Sequence, residues 1–355
     1  AMDMRFIAQV NPHPIGFCLG RGRRRVGWEN ANHSVLSANG LLFRRDGVSV
    51  SQKHLRSRQI YPHRPALPVM AFPCADRAMD AEREYNNRAR VPESAEIIAA
   101  WARDAAAFRA SGVRAELDLA YGAGEREKLD LFLSPHAEAA PTALFIHGGY
   151  WQALDKSFVS QCARGLLGQG VAVAVPSYGL CPAVTLGEIA EQMRRAAAFL
   201  HRRRGGRLLA AGHSAGGQLA ALLLATDWPA WQPGLPAGMV GAALPVSGVF
   251  ELGPLRGTSI AQALRLTGAD IATLSPRLLP PPAFDSMHVV VGGAESDEFI
   301  RQSRDFATHW GGSFEALPGA NHFTVLNPFT DPAHSLMIRA GEMAHRLALR
   351  PGFAQ

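Results

Sequence analysis

At 355 residues and 47% hydrophobic, the chain can bury a substantial core, as one large domain or two. Its four cysteines, Cys18, Cys74, Cys162 and Cys181, show no CxxC spacing, which argues against a disulfide framework and for a reducing, cytoplasmic setting. No apolar run reaches transmembrane length, the start carries no secretory h-region, and the net charge of +6 is unevenly placed.

Residues 1–70 hold eleven Lys and Arg against Asp3, Glu29 and Asp46, so the remainder is close to neutral and the high pI belongs to an N-terminal extension. The run Arg21-Gly22-Arg23-Arg24-Arg25 has the charge for nucleic-acid contact or for an import sequence. It lacks periodic apolar positions and interleaved aromatics, so no nucleic-acid partner is expected. The reading is a poorly ordered extension, or translated sequence ahead of a start near Met70 or Met79, followed by a catalytic domain over 71–355.

Beyond that segment the pattern alternates. Pro92 announces a helix over 93–110, and 114–120 with 128–133 reads as a hairpin across Tyr121-Gly122-Ala123-Gly124. Apolar strand-like runs recur at 142–147, 171–176, 207–211, 240–246, 287–292 and 313–317. Helical stretches at 158–167, 186–203, 218–226 and 298–310 separate them, and 276–282 is a proline-rich connector. Strands alternating with helices imply an α/β fold with a mainly parallel sheet covered on both faces, its reactive loops gathered at the carboxyl ends of the strands.

Two of those strand ends carry chemistry. The run at 142–147 opens into His147-Gly148-Gly149-Tyr150-Trp151, an H-G-G loop of the kind that offers backbone N–H groups to an oxyanion. The run at 207–211 opens into Gly212-His213-Ser214-Ala215-Gly216, a G-x-S-x-G turn from strand to helix that projects Ser214 as a nucleophile. Small residues also fill such crossovers without any chemistry. The second motif favours the catalytic reading, with Gly148, Gly149 and Ala215 as oxyanion donors. Tyr150 and Trp151 either line the substrate site or pack in the core.

A serine needs a base and the base an orienting acid, in the chain order Ser, acid, His for this arrangement. Pro318-Gly319-Ala320-Asn321-His322-Phe323 presents His322 as the base, and the loop after 287–292 offers Glu295, Asp297 and Glu298. Glu295 is preferred because it is nearest the strand, with Asp297 in reserve as a residue whose position also suits a helix start. His213 adjoins the nucleophile and is expected to pack around the turn, and His147 to brace the oxyanion loop. His201, His309, His334 and His345 read as solvated or structural, and no pair has metal-ligand spacing.

Together, His147-Gly148-Gly149-Tyr150-Trp151, the elbow at Ser214 and Glu298-Phe299-Ile300-Arg301-Gln302-Ser303 resemble the kynurenine formamidase (arylformamidase) branch of the α/β-hydrolases. Glu84-Tyr85-Asn86-Asn87-Arg88, 178–182 and Ser247-Gly248-Val249-Phe250 extend the resemblance over about 80–348. Where the family carries its catalytic aspartate, this chain has Glu295. The resemblance implies the α/β-hydrolase fold, a Ser214–His322–Glu295 triad without metal or cofactor, and hydrolysis of N-formylkynurenine to kynurenine and formate. A carboxylesterase and a non-catalytic binding protein remain the alternatives. The expected partner is a small molecule, with no membrane and with homodimerisation left open.

Overall fold

The computed structural model describes residues 79–134 and 140–349, so the expected extension over 1–70 lies outside the described residues. Its frame is an eight-stranded sheet: β1 (Ala115–Ala120), β2 (Lys128–Phe132), β3 (Thr142–Ile146), β4 (Ala172–Pro176), β5 (Leu208–His213), β6 (Val240–Val246), β7 (Ser286–Gly292) and β8 (Ser313–Leu317). The spatial order is β1-β2-β4-β3-β5-β6-β7-β8. The β1–β2 hairpin joins β4 antiparallel, and every pairing from β4 to β8 is parallel.

The central strands read as unbroken apolar runs because both faces are covered. In β3, Leu144 and Ile146 join one core with helices Leu186–Arg204, Ala215–Leu224 and Asp297–Trp310, whereas Ala143 and Phe145 join the other with Ser94–Ala110 and Ser335–Leu349. In β5, Leu208 and Ala210 lie in the first core and Leu209 and Ala211 in the second, the period of two that a strand imposes. The long helix Leu186–Arg204 starts at a capping box between Thr185 and Glu188 and stops at Gly205, whose φ is +69°. Among the described residues no helix is long and apolar enough to cross a membrane.

Two helix expectations change. The stretch 158–167 is two 3-10 turns, Lys156–Phe158 and Ser160–Cys162, and only then an α-helix, Ala163–Gly168. Side chains compete with the α ladder there: Asp155 accepts from the Ser157 amide, and Arg109 binds both Ser157 O and Ser160 Oγ. The helix expected at 218–226 instead spans Ala215–Leu224, because the Ser214 carbonyl already accepts from the Gly217 and Gln218 amides. The chain therefore turns helical directly after the serine, which matters for the chemistry below.

Candidate active site

Ser214 ends the crossover from β5 in a left-handed conformation, φ +55° and ψ −118°, a strain on the order of 1–3 kcal/mol that the surrounding packing must hold. The two glycines of the elbow explain how. A Cβ at Gly216 would lie 2.0 Å from the Ile146 carbonyl oxygen, and one at Gly212 would lie 2.3 Å from the Gly216 oxygen. Only glycine lets these backbones meet, and their contact holds the turn against the end of β3.

His322 lies on the loop after β8, and its Nε2 is 3.1 Å from Ser214 Oγ. Its Nδ1 is 2.7 Å from Glu295 Oε2, on the loop after β7. The serine, histidine and glutamate are all buried, so their hydrogen bonds form out of bulk water. Glu295 Oε1 accepts from the Gly292 amide at 2.7 Å and from the Ser247 hydroxyl. The longer acid fits because residue 292 is glycine: a Cβ there would lie 3.0 Å from Glu295 Oε1 and 2.3 Å from the Ala320 oxygen.

Asp297 is separate from this cluster. It is exposed at the first turn of Asp297–Trp310, whose N-cap is Ser296. Asp297→Asn should cost at most about 1 kcal/mol of stability, through the helix dipole, and leave kcat within about threefold. Urea unfolding and steady-state kinetics check this; a crippled variant would move the acid role to Asp297.

The H-G-G loop touches Ser214 directly. A Cβ on Gly148 would lie 3.0 Å from the His213 carbonyl oxygen and 3.1 Å from Ser214 Cβ. Gly149 has φ +106°, followed by Tyr150 and Trp151 at +49° and +57°, a strained run closed by the Gln152 and Ala153 amides donating to Gly149 O. Ala215 is the first residue of its helix, so its N–H has no acceptor a turn behind it. Amides of this kind beside a serine are what a developing oxyanion requires.

Trp151 does not line the site, which corrects the substrate-binding expectation for it. It is fully buried, donates through Nε1 to Gln218 Oε1 at 3.2 Å and holds the Cys181 amide on its carbonyl, so it anchors the loop from the core side. Tyr150 does face the cavity. Its hydroxyl donates to the Tyr85 carbonyl and accepts from Asn87 Nδ2 at 3.2 Å.

A cavity of about 170 Å³ opens over Ser214 and His322, walled by Ile98, Trp101, Leu154, Ile260 and Phe323. Trp101 and Ile98 come from the helix Ser94–Ala110, far upstream in sequence, and no local pattern marks them as site residues. Ser247 was likewise missed, although the Ser-Gly-Val-Phe run after β6 carries it.

The remaining histidines support the scaffold. His213 Nε2 lies 2.7 Å from the His322 carbonyl oxygen, tying the loop after β8 to the elbow. His147 donates through Nδ1 to Gly148 O at 2.7 Å, its ring stacked 4.1 Å from Tyr178. Burial pushes the His147 pKa down to about 4 and that of His213 well below its ordinary value. Both are thus neutral when folded but protonate in the unfolded chain below about pH 6.5, so the unfolded state binds more protons and stability falls as pH falls. Between pH 6.5 and 5, above the carboxylate range, the loss should be on the order of 2 kcal/mol for His147, with His213 adding to it in the same direction. Urea midpoints across that window test it, and a flat profile would mean that the rings titrate normally in the fold.

Three curated relatives align with about 60% of the chain. The kynurenine formamidases of Salmo salar and Danio rerio are each 31% identical, covering 62% of this chain and 79% and 78% of those proteins. The kynurenine formamidase of Drosophila melanogaster is 32% identical over 226 residues. Among solved structures, a putative thioesterase of Silicibacter sp. TM1040 is 35% identical with a TM-score of 0.69, covering 73% of this chain and 98% of that one. The carboxylesterase EstE1, at 18% identity and a TM-score of 0.56, shares the fold. No protein-family model matches the chain.

Proposed function

The chain belongs to the kynurenine formamidase family of α/β-hydrolases, and from that premise we propose that it hydrolyses N-formylkynurenine to kynurenine and formate through Ser214, His322 and Glu295. The observation that carries the reading is the continuous relay from Ser214 Oγ through both His322 nitrogens to Glu295, opening onto an aromatic-walled cavity. Such a wall suits an aryl leaving group. The formyl group itself offers almost nothing to hold.

Glu295 fixes the His322 tautomer with its proton on Nδ1, which leaves the Nε2 lone pair for the serine. Ser214 Oγ bonds to the formyl carbon as its proton passes to His322 Nε2. The oxygen becomes an oxyanion, held by the amides of Ala215 and of Gly149 in the H-G-G loop, with Gly148 closing the loop against the nucleophile. His322 then hands its proton to the aniline nitrogen, the C–N bond breaks and kynurenine leaves. Water attacks the formyl-serine, giving its proton to His322, and formate departs as the proton returns to Ser214. No cofactor enters this sequence. We place the enzyme in the cytoplasm, a reading supported by the buried free thiols of Cys162 and Cys181.

The likeness to a putative thioesterase favours one second reading, an ester or thioester hydrolase using the same triad. Purified full chain should release formate and kynurenine from N-formylkynurenine with a higher kcat/KM than it shows for p-nitrophenyl acetate or an acetyl thioester. The reverse order would make it an esterase.

A further inference from the structure

Two segments, 84–88 and 298–303, have no part in the mechanism, yet they are bonded to each other. Tyr85 donates its hydroxyl to Glu298 Oε1 at 3.0 Å, and the Glu298 amide donates to Glu84 Oε2 at 3.1 Å. Gln302 Nε2 also donates to the Tyr85 hydroxyl and, at 3.0 Å, to Glu298 Oε1. From this anchor the chain runs along the cavity. Asn86 caps the turn Asn87–Arg90 by accepting from the Ala89 amide at 3.1 Å, and Asn87 is tied to Tyr150.

Arg88 is carried by this pinned turn. It lines the same cavity as Ser214, Gly149 and Tyr150, and apart from histidine it is the sole charged residue that does so. Its side chain is exposed, and among the described residues it has no hydrogen bond or ion pair, whereas nearby Arg90 faces Glu84 at 3.8 Å. A guanidinium on a fixed backbone, in a cavity that holds no carboxylate and committed to no acid, matches a carboxylate in its planar fork.

We propose that Arg88 is the counter-ion for a carboxylate on the leaving-group side of the substrate, which selects amino-acid formamides over aryl formamides that lack the carboxylate. The inference rests on the formamidase reading, in which the leaving group is an aromatic amino acid. Because the acyl side is a single formyl group, discrimination has to come from the far end of the molecule, and Arg88 supplies it by charge and by its fixed place. Arg88 is a specificity residue, since it touches no reacting atom.

The test compares N-formylkynurenine with its decarboxylated analogue N-formylkynuramine, on wild type, Arg88→Gln and Arg88→Lys. In Arg88→Gln the ratio of kcat/KM for the acid to that for the amine should fall about five- to tenfold, carried by KM, as expected for a partly solvated charge-assisted pair. Arg88→Lys should keep most of the ratio, and raised salt should erode it in wild type. Equal losses on both substrates, or an unchanged ratio, would overturn the proposal. If wild type cleaves neither formamide, the formamidase reading fails first. Inhibition of p-nitrophenyl acetate hydrolysis by kynurenine against kynuramine then isolates the Arg88 question, and a preference for the acid that survives Arg88→Gln would reject it.

Discussion

Ser214→Ala is expected to abolish turnover, by roughly 10⁵- to 10⁶-fold in kcat, while the protein stays folded. The substitution removes one oxygen, whose bond in the structure is to His322 Nε2, and keeps the Cβ. The strained backbone at φ +55° is therefore no worse served by alanine, and the glycine contacts that hold the elbow are untouched. Kinetics on N-formylkynurenine, with circular dichroism melting to show an unchanged transition, checks this. A folded variant that still turns over substrate would end the serine-hydrolase reading.

Glu295→Gln is expected to lower kcat by about 10³- to 10⁴-fold with little change in KM. The reason lies in which oxygen is held by what. Oε1 accepts from two donors, the Gly292 amide and the Ser247 hydroxyl, so a glutamine must place its carbonyl oxygen there. Its NH2 then faces His322 Nδ1, which can only accept from it. The imidazole proton is driven to Nε2, the nitrogen that should receive the serine proton, and the charge that would stabilise imidazolium is gone. Glu295→Asp should fall between, because a side chain one methylene shorter cannot satisfy the Gly292 amide and His322 together. Activity of Glu295→Gln near wild type would show that His322 is oriented by something else.

The strands β3 to β7 were legible because each is a short apolar run whose burial on both faces needs no knowledge of its neighbours, whereas β8 is a half-exposed edge strand. All six expected strands from 142 to 317 lie within two residues of the observed ones at each end. The elbow, the H-G-G loop and the placing of His322 beside Ser214 were legible for a related reason. Glycine at a close backbone approach, and a lone histidine on a loop after a strand, are local necessities of this chemistry. The turns at 156–162 were not legible, because Arg109 on a distant helix supplies the hydrogen bonds that hold them.

Sequence order left Glu295 and Asp297 as rival acids, two residues apart on one loop. Folding separates them: a turn closed by the Glu295 amide on Gly292 O aims residue 295 at His322, and the helix that begins at residue 297 faces that carboxylate to solvent. The aromatic pair after H-G-G divides in the same way, Trp151 into the core and Tyr150 toward the cavity. Residue types and spacing supplied the reagents of the site, because those are properties of short stretches of chain. Which carboxylate, which aromatic and which distant wall complete it was decided only by tertiary packing, since burial and hydrogen-bond partners arise between segments as far apart as 85, 150, 214 and 298.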